Sequence, residues 1–271
     1  MSLHLASIHI HPIKSLGGFA VNEALITDRG LQHDRRWMLV DQDGRFLSQR
    51  ELPAMACLHT APAEHGFHIT DVRTGDTLDL PWELREGTAC RAQVWEDEVD
   101  VISAEHLSSW FSDRLGTPAV LVYMPDASIR PTDPTYAVSG TSLSDGFPFL
   151  ILSQASLNDL NERMAPEDRV PMDRFRPNLV IGGGAAFQED RWRRIVVGDA
   201  RFELVKPCAR CVITTTDQQS GQRGKEPLAS LARFRRRHNE PTKVDFGMNA
   251  ICTSGERVRV GDAVQVITAV G

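Results

Sequence analysis

KPCARCVITTTD (206–217) sets two cysteines three positions apart, Cys208 and Cys211, with Ala209 and Arg210 between them. Residues 200–205 ahead of it read as a strand. The run behind Cys211 is β-branched, so 212–216 is expected to be a strand too. Several readings compete for the pair. A thioredoxin-type redox couple wants its first cysteine at a helix N-terminus, where the macrodipole lowers the thiol pKa, and β-branched residues disfavour a helix here. Half of a zinc site would need two more ligands; Cys252 and His238 are available, but their spacing fits no recurrent pattern. A single thiolate ligand for a soft, cofactor-held metal is the third reading, with the Arg210 guanidinium favouring thiolate over thiol. Two unreactive buried cysteines are the fourth.

Outward from this stretch the chain reads as many short strands with few helices. Strands are expected at 5–13, 20–26, 36–41, 77–80, 92–95 and 99–102, with 45–48 completing a hairpin after the turn at 42–44. The pattern at 5–13 puts His9 and His11 on one half-exposed face. A helix over 104–115 stops at Gly116. The segment PDASIRPTDPTYAVSGTSLSDG (125–146) is a long loop of turn-forming residues, and a domain boundary is placed at its start. Beyond it come a buried strand at 149–152, a helix over 155–164 capped by Ser153, and strands at 176–181, 192–197, 200–205, 249–253 and 258–267. A helix is expected over 226–237. Three glycines at 182–184 lack phosphate-loop spacing and read as a strand-ending turn. The fold class is therefore α+β and strand-rich, with a β-barrel or closed sheet expected and two domains, 1–125 and 126–271.

With 271 residues the chain can bury a full core, and its 41% hydrophobic and 24% charged content excludes a mainly disordered protein. A net charge of −6 gives no general attraction to nucleic acid or anionic membrane. The basic run Arg233, Arg235, Arg236 and Arg237 reads as a solvated helix face or, more sharply, as a docking surface for an acidic electron-transfer partner. No apolar stretch is long enough to span a membrane, and the N-terminus lacks a signal-peptide core. Five scattered cysteines do not form a disulfide framework, which points to a reducing cytoplasm.

Cations and small polar residues recur in turns rather than on helix faces. Lys14 and Ser15 lie in a Gly-flanked turn, Arg35 precedes a strand, and Arg176 opens one. Singly each is an ordinary surface charge; together they suit an anionic cofactor, lysine as a point charge and arginine as a bidentate fork. Ser144 and Asp145 precede a buried strand, and Asp145 offers acceptors for ring N–H groups or serves as a turn former. There is no Ser/His/Asp hydrolase signature, dinucleotide fingerprint or iron–sulfur spacing.

KPCARCVITTTDQQSGQ, HPIKSLGG, GLQHDRRWMLVDQDGRFLSQRE, DGFPFLILSQASLNDLNERM, DRFRPNLVI and DFGMNAIC together resemble, in order and over nearly the whole chain, the MOSC-domain family that contains the mitochondrial amidoxime-reducing component and its bacterial relatives. The resemblance implies an N-terminal MOSC β-barrel domain followed by a MOSC β-barrel domain with peripheral helices. It implies a molybdenum cofactor (Mo-molybdopterin), with Cys211 as the metal ligand and catalytic thiolate and Cys208 not binding metal. Lys14, Ser15 and Arg35 match N-terminal contacts to the cofactor on its phosphate side. Ser144, Asp145 and Arg176 match further contacts, and Ala209 and Arg210 match the loop that hugs the pterin, Ala209 through its backbone. Asn249 stands where eukaryotic members carry a tyrosine. The implied activity is reduction of small N-hydroxylated compounds, such as hydroxylaminopurines or amidoximes. No membrane anchor or C-terminal ferredoxin-like domain is read in the sequence, so electrons are expected from a separate donor protein (ferredoxin, flavodoxin or cytochrome-like). A cofactor carrier or sulfur-handling module without turnover is the alternative.

Overall fold

The computed structural model describes residues 2–269; Met1 and the final glycine, Gly271, at which the expected domains begin and end, lie outside it. Its largest sheet has eight strands in the order Val264–Ala269, Trp192–Val197, Ala200–Ala209, Asp245–Ser254, Phe149–Ser153, Leu179–Gly182, His4–Ile10 and Phe19–Val21. Phe149–Ser153 and Leu179–Gly182 run parallel. A parallel pair needs a crossover, and the helix Gln154–Glu162 begins it. Ser153 caps that helix as expected, its side chain accepting from the Ser156 N–H at 3.0 Å.

The sheet curls towards closure. Leu5 N–H donates to the Asp262 carbonyl at 2.8 Å, Gly261 N–H to that of Leu5 at 2.8 Å, and Val264 N–H to that of Leu3 at 3.0 Å. These bonds join the first strand to the run into the last, making the sheet barrel-like without a full closing ladder. Its interior is filled from alternating positions, including Leu5, Ile8, Phe149, Ile151, Trp192, Ile195, Phe202 and Leu204.

A second sheet orders Trp37–Val40, Val120–Tyr123, Asp97–Ser103 and Thr88–Val94, and a third pairs Leu58–Ala63, Gly66–Asp71 and Thr77–Pro81. Trp37–Val40 is buried on both faces: Trp37 and Leu39 enter one core, Met38 and Val40 another. The helix Glu105–Leu115 ends on Gly116 in a left-handed cap (φ 67°), as its sequence signals. The chain is interleaved across 125/126, because His4–Ile10 pairs with Leu179–Gly182 and Glu23–Thr27 with Arg257–Arg259.

Four expectations are corrected. Residues 212–216 are not a strand but carry a short 3-10 helix, Val212–Thr215. The threonines supply the reason: Thr214 Oγ1 donates to the Cys211 carbonyl at 3.0 Å and Thr215 Oγ1 to that of Val212 at 2.8 Å, bonds that β propensity does not anticipate. The expected helix over 226–237 shrinks to Leu228–Phe234, since Arg236 bridges to Val244 and the chain turns back. The strand over 258–267 is split by Gly261 (φ 94°) into Arg257–Arg259 and Val264–Ala269. The first strand ends at Ile10, leaving His11 beyond it and 4% exposed rather than on a half-exposed face. No helix among the described residues is long and apolar enough to cross a membrane.

Candidate functional site

The strand Ala200–Ala209 delivers Cys208 and Ala209 to the rim of a cleft of about 160 Å³, and Cys211 follows as the residue that opens the 3-10 helix. All ten residues singled out in the sequence line this cleft: Lys14, Ser15, Arg35, Ser144, Asp145, Arg176, Ala209, Arg210, Cys211 and Asn249. They come from six separate stretches of chain. Cys208 and Cys211 are both half-buried free thiols. Cys211 is extended (φ −121°, ψ −179°) and the strand runs through Ala209.

The cleft is rich in positive charge. Lys14, Arg35, Arg50, Arg174, Arg176 and Arg210 line it, against the single carboxylate of Asp145. Lys14 Nζ donates to Asp145 Oδ1 at 2.5 Å, and Arg50 Nη2 lies 3.5 Å from Oδ2. Arg35 is paired behind the wall with Asp34 at 2.5 Å and Arg174 with Asp217 at 2.7 Å. Six cations thus share three carboxylates. Arg176 and Arg210 have no carboxylate partner among the described residues; Arg176 donates to the Leu16 carbonyl. Arg210 donates through Nε to the Phe246 carbonyl at 2.7 Å and through Nη1 to that of Phe175 at 3.1 Å. Its Nη2 is shielded from water and has no protein partner.

Burial sets the electrostatics. The Lys14 side chain is 5% exposed, and burial brings its ammonium down to about 8 despite the attraction of Asp145. Burial alone would raise Asp145, but the charges of Lys14 and Arg50 win and hold it below the usual carboxylate range. The carboxylate is 62% exposed towards the cleft, so part of its environment is aqueous. Burial, with Arg35 close by, presses the Arg176 guanidinium downwards. A guanidinium keeps its proton regardless, so the excess positive field remains.

Aromatic rings hold three of the cations. Lys14 Nζ sits 5.1 Å from the Phe46 ring centre, the Arg50 guanidinium 4.5 Å from that of Trp95 and the Arg210 guanidinium 5.3 Å from that of Phe175. Ser15 (φ 67°), Arg35 (φ 48°) and Arg176 (φ 54°) are half of the six non-glycine residues with positive φ among those described. Such strain costs about 1–2 kcal/mol per residue and gathers where a site dictates the backbone.

Some assignments change in detail. None of the hydrogen bonds of Arg210 goes to Cys211; its charge acts instead on Cys208, whose thiol burial pushes up while Arg210 opposes. The Ser144 hydroxyl is engaged by Thr141 at 2.5 Å and donates to the Phe147 carbonyl at 2.9 Å. Within the basic run Arg235 pairs with Asp190 at 2.6 Å and Arg237 with Asp245 at 2.6 Å, while Arg233 and Arg236 are exposed. Sequence reasoning missed Arg50, Arg174 and Phe147, which also line the cleft. It also missed Arg130, buried in the long loop, which donates to the carbonyls of Ser142 (3.0 Å), Ser144 (2.5 Å) and Asp145 (3.1 Å) and pairs with Asp97 at 2.8 Å.

Residues 2–118 match the MOSC N-terminal beta barrel domain, and residues 139–265 match the MOSC domain. The chain belongs to the MOSC-domain family. A molybdenum cofactor sulfurase of Oryza sativa subsp. japonica is 33% identical over 91% of this chain, which spans only 32% of that protein's length. Human mitochondrial amidoxime-reducing component 1 is 30% identical over 97% of this chain and 82% of its own length. Among solved structures, the YuaD protein of Bacillus subtilis is 13% identical with a TM-score of 0.42, covering 97% of this chain and 94% of that one.

Proposed function

We propose that this MOSC-family chain binds a molybdenum cofactor in the cleft and acts as an oxidoreductase that reduces small N-hydroxylated compounds, amidoximes or hydroxylaminopurines. Cys211 carries the reading. It is a half-buried free thiol in the wall of a cleft whose cations outnumber their carboxylates, which is the donor set a phosphate-bearing cofactor with a soft metal requires. The unpartnered Nη2 of Arg210 adds an unused donor at the same place. The name of the amidoxime-reducing components supports the reduction, and that of the molybdenum cofactor sulfurases supports the cofactor alone.

In this reading Cys211 is the metal ligand, while Lys14, Arg50, Arg35 and Arg176 hold the cofactor's anionic end. Ser15, Ser144, Asp145, Ala209, Arg210 and Asn249 position the remainder. When bound, the cofactor supplies the two-electron chemistry; the protein binds, orients and excludes competing solvent. Phe175 and Phe147 give the cleft apolar wall against which a planar group can lie. Electrons come from a separate donor protein of ferredoxin, flavodoxin or cytochrome type. The five free cysteines suit the cytoplasm as the compartment.

Molybdenum content of purified protein, measured for wild type, Cys211→Ala and Cys208→Ala, tests the assignment. Wild type and Cys208→Ala should carry the metal and reduce an amidoxime with a chemical reductant, and Cys211→Ala should lose the reduction. Equal loss in both variants would point to a dithiol or zinc site. Retained molybdenum without turnover of any N-oxygenated compound would instead indicate a cofactor carrier.

A further inference from the structure

On the other side of Arg176 lies a second cavity of about 200 Å³, separate from the cysteines. It is lined by His9, His11, His59, Asp173 and Gln218 together with the Gly17–Gly18 turn. The glycines make it possible. A Cβ at Gly18 would lie 2.6 Å from His11 Nδ1 and 2.6 Å from the Ile10 carbonyl, and one at Gly17 would lie 3.0 Å from His59 Cα.

His11 is the group that asks for a ligand. It is 96% buried by its 4% exposure, it lines the cavity, and its ring makes no hydrogen bond among the described residues; Nδ1 is shielded and without a partner. Its neighbours are accounted for: His9 bonds Ser7 Oγ at 2.9 Å, and His59 Nε2 donates to the Gln218 carbonyl at 2.6 Å. Buried polar groups almost always have a partner, so the unbonded imidazole is an unmet demand, and the Arg176 guanidinium beside it bonds a carbonyl but no carboxylate. A single oxyanion between them would answer both, accepting from Arg176 and from His11.

We propose that this rear cavity is a second binding site, for a small oxyanion of the sulfate, phosphate or carboxylate class, held between His11 and Arg176. The inference shares Arg176 with the cofactor reading, but neither cysteine nor Lys14 lines this cavity, so its test is read at His11.

The charges around His11 define how binding responds to pH. Burial is the largest influence on its ring, and Arg35, Arg176 and His9 add to it; all four lower its pKa, so the empty site holds the imidazole neutral. Asp34 accepts from the His11 backbone N–H at 2.8 Å but is already paired with Arg35. Across the cavity, His59 and the Asp173 carboxyl, itself raised by burial, complete the titratable set. An oxyanion opposes the lowering at His11 and raises its pKa, so it binds with uptake of a proton and more tightly as pH falls. Asp173 opposes the ligand at neutral pH and less so once protonated.

The test is calorimetry with sulfate and with acetate on the full chain at about pH 6, in two buffers of different ionisation enthalpy, alongside imidazole NMR of His11. Sulfate keeps its charge throughout, so any proton taken up with it belongs to the protein. Wild type should take up a proton with at least one probe, with the His11 resonances shifting. His11→Gln, which keeps a donor but cannot titrate, should lose the uptake, and Asp173→Asn should bind several-fold more tightly. A response to acetate alone identifies a carboxylate site, and one to sulfate alone a tetrahedral one. If neither probe moves the His11 resonances or its titration, the cavity holds only water and the proposal fails. Proton uptake that survives in His11→Gln would equally overturn it.

Discussion

The anion affinity of the cysteine cleft should fall steeply above pH 8, and Lys14 sets the break. Its ammonium titrates at about 8 because burial outweighs its 2.5 Å contact with Asp145. A dianion favours the charged ammonium, so affinity is full below that pKa and is lost as pH rises through it. From pH 7 to pH 9 the charged fraction of Lys14 drops about tenfold, and the dissociation constant should rise about tenfold, equivalent to about 1.4 kcal/mol. The stability of the ligand-free protein moves the other way. The folded pKa lies below the unfolded one, so burying a charged Lys14 is unfavourable below pH 8, and its contribution improves as pH climbs from about 8 to about 10.4. Sulfate is the probe of choice because it does not titrate in this window. Calorimetric titrations between pH 7 and pH 9.5 at constant ionic strength separate the effect from general screening. Lys14→Met should bind sulfate more weakly at pH 7 and show no break near 8. A wild-type affinity that stays flat to pH 9.5, or a break that persists in Lys14→Met, would refute the electrostatic account of the cleft.

Two further outcomes follow from groups outside the cysteine motif. Glu189 is fully buried, burial raises its carboxyl, and its Oε2 has no protein partner. Its stabilising contribution is present below the unfolded pKa and lost as pH rises through the folded one, so Glu189→Gln should gain on wild type by about 1 kcal/mol or more between pH 4 and pH 8, read from the difference in melting temperature. Arg130→Met removes the guanidinium that holds the carbonyls of Ser142, Ser144 and Asp145; it should cost about 3 kcal/mol in denaturant unfolding and expose residues 126–146 to limited proteolysis.

The elements that sequence made legible are those whose information is local. The Ser153 cap, the Gly116 stop and the strand at 192–197 each depend on a few adjacent residues, and each stands in the structure. Leu58–Ala63 and Gly66–Asp71 escaped notice because Pro62, His68 and short polar interruptions blur their period. The fate of 212–216 was hidden for another reason. β-branching speaks for a strand, but threonine hydroxyls can also satisfy carbonyls one turn back, and only the tertiary position of Cys211 decides between the two. Family resemblance picked out ten residues that line one cleft, and some lining residues it passed over stand close to those already named. Arg174 stands two positions before Arg176, and Arg50 follows the buried Gln49. Arg130 carried no such signal, since nothing in a loop of turn formers distinguishes a buried arginine from a solvated one.

The placement of backbone strain ties these observations to the site. Ser15, Arg35 and Arg176 adopt a conformation that glycine would take more cheaply, yet each presents a group a glycine lacks or a carbonyl already in use. The Ser15 carbonyl accepts from Gln49 Nε2 at 2.7 Å, and that of Arg176 from Arg35 Nη2 at 3.1 Å. Gln49 also forms a reciprocal amide pair with Gln218, at 3.2 and 3.1 Å, on the stretch that follows the Cys211 turn. The Ser15 turn is thus tied through Gln49 to the segment that follows the thiol, and the Arg176 turn to Arg35. Those bonds are independent of any ligand, so the left-handed turns are held before binding, and a cofactor entering the cleft meets cations already in position. Preorganisation of this kind moves the ordering cost from the binding step to folding. It also explains why the cleft draws on seven separate stretches of chain: no single loop could hold three strained residues and six like charges unless the surrounding sheets over-determined them.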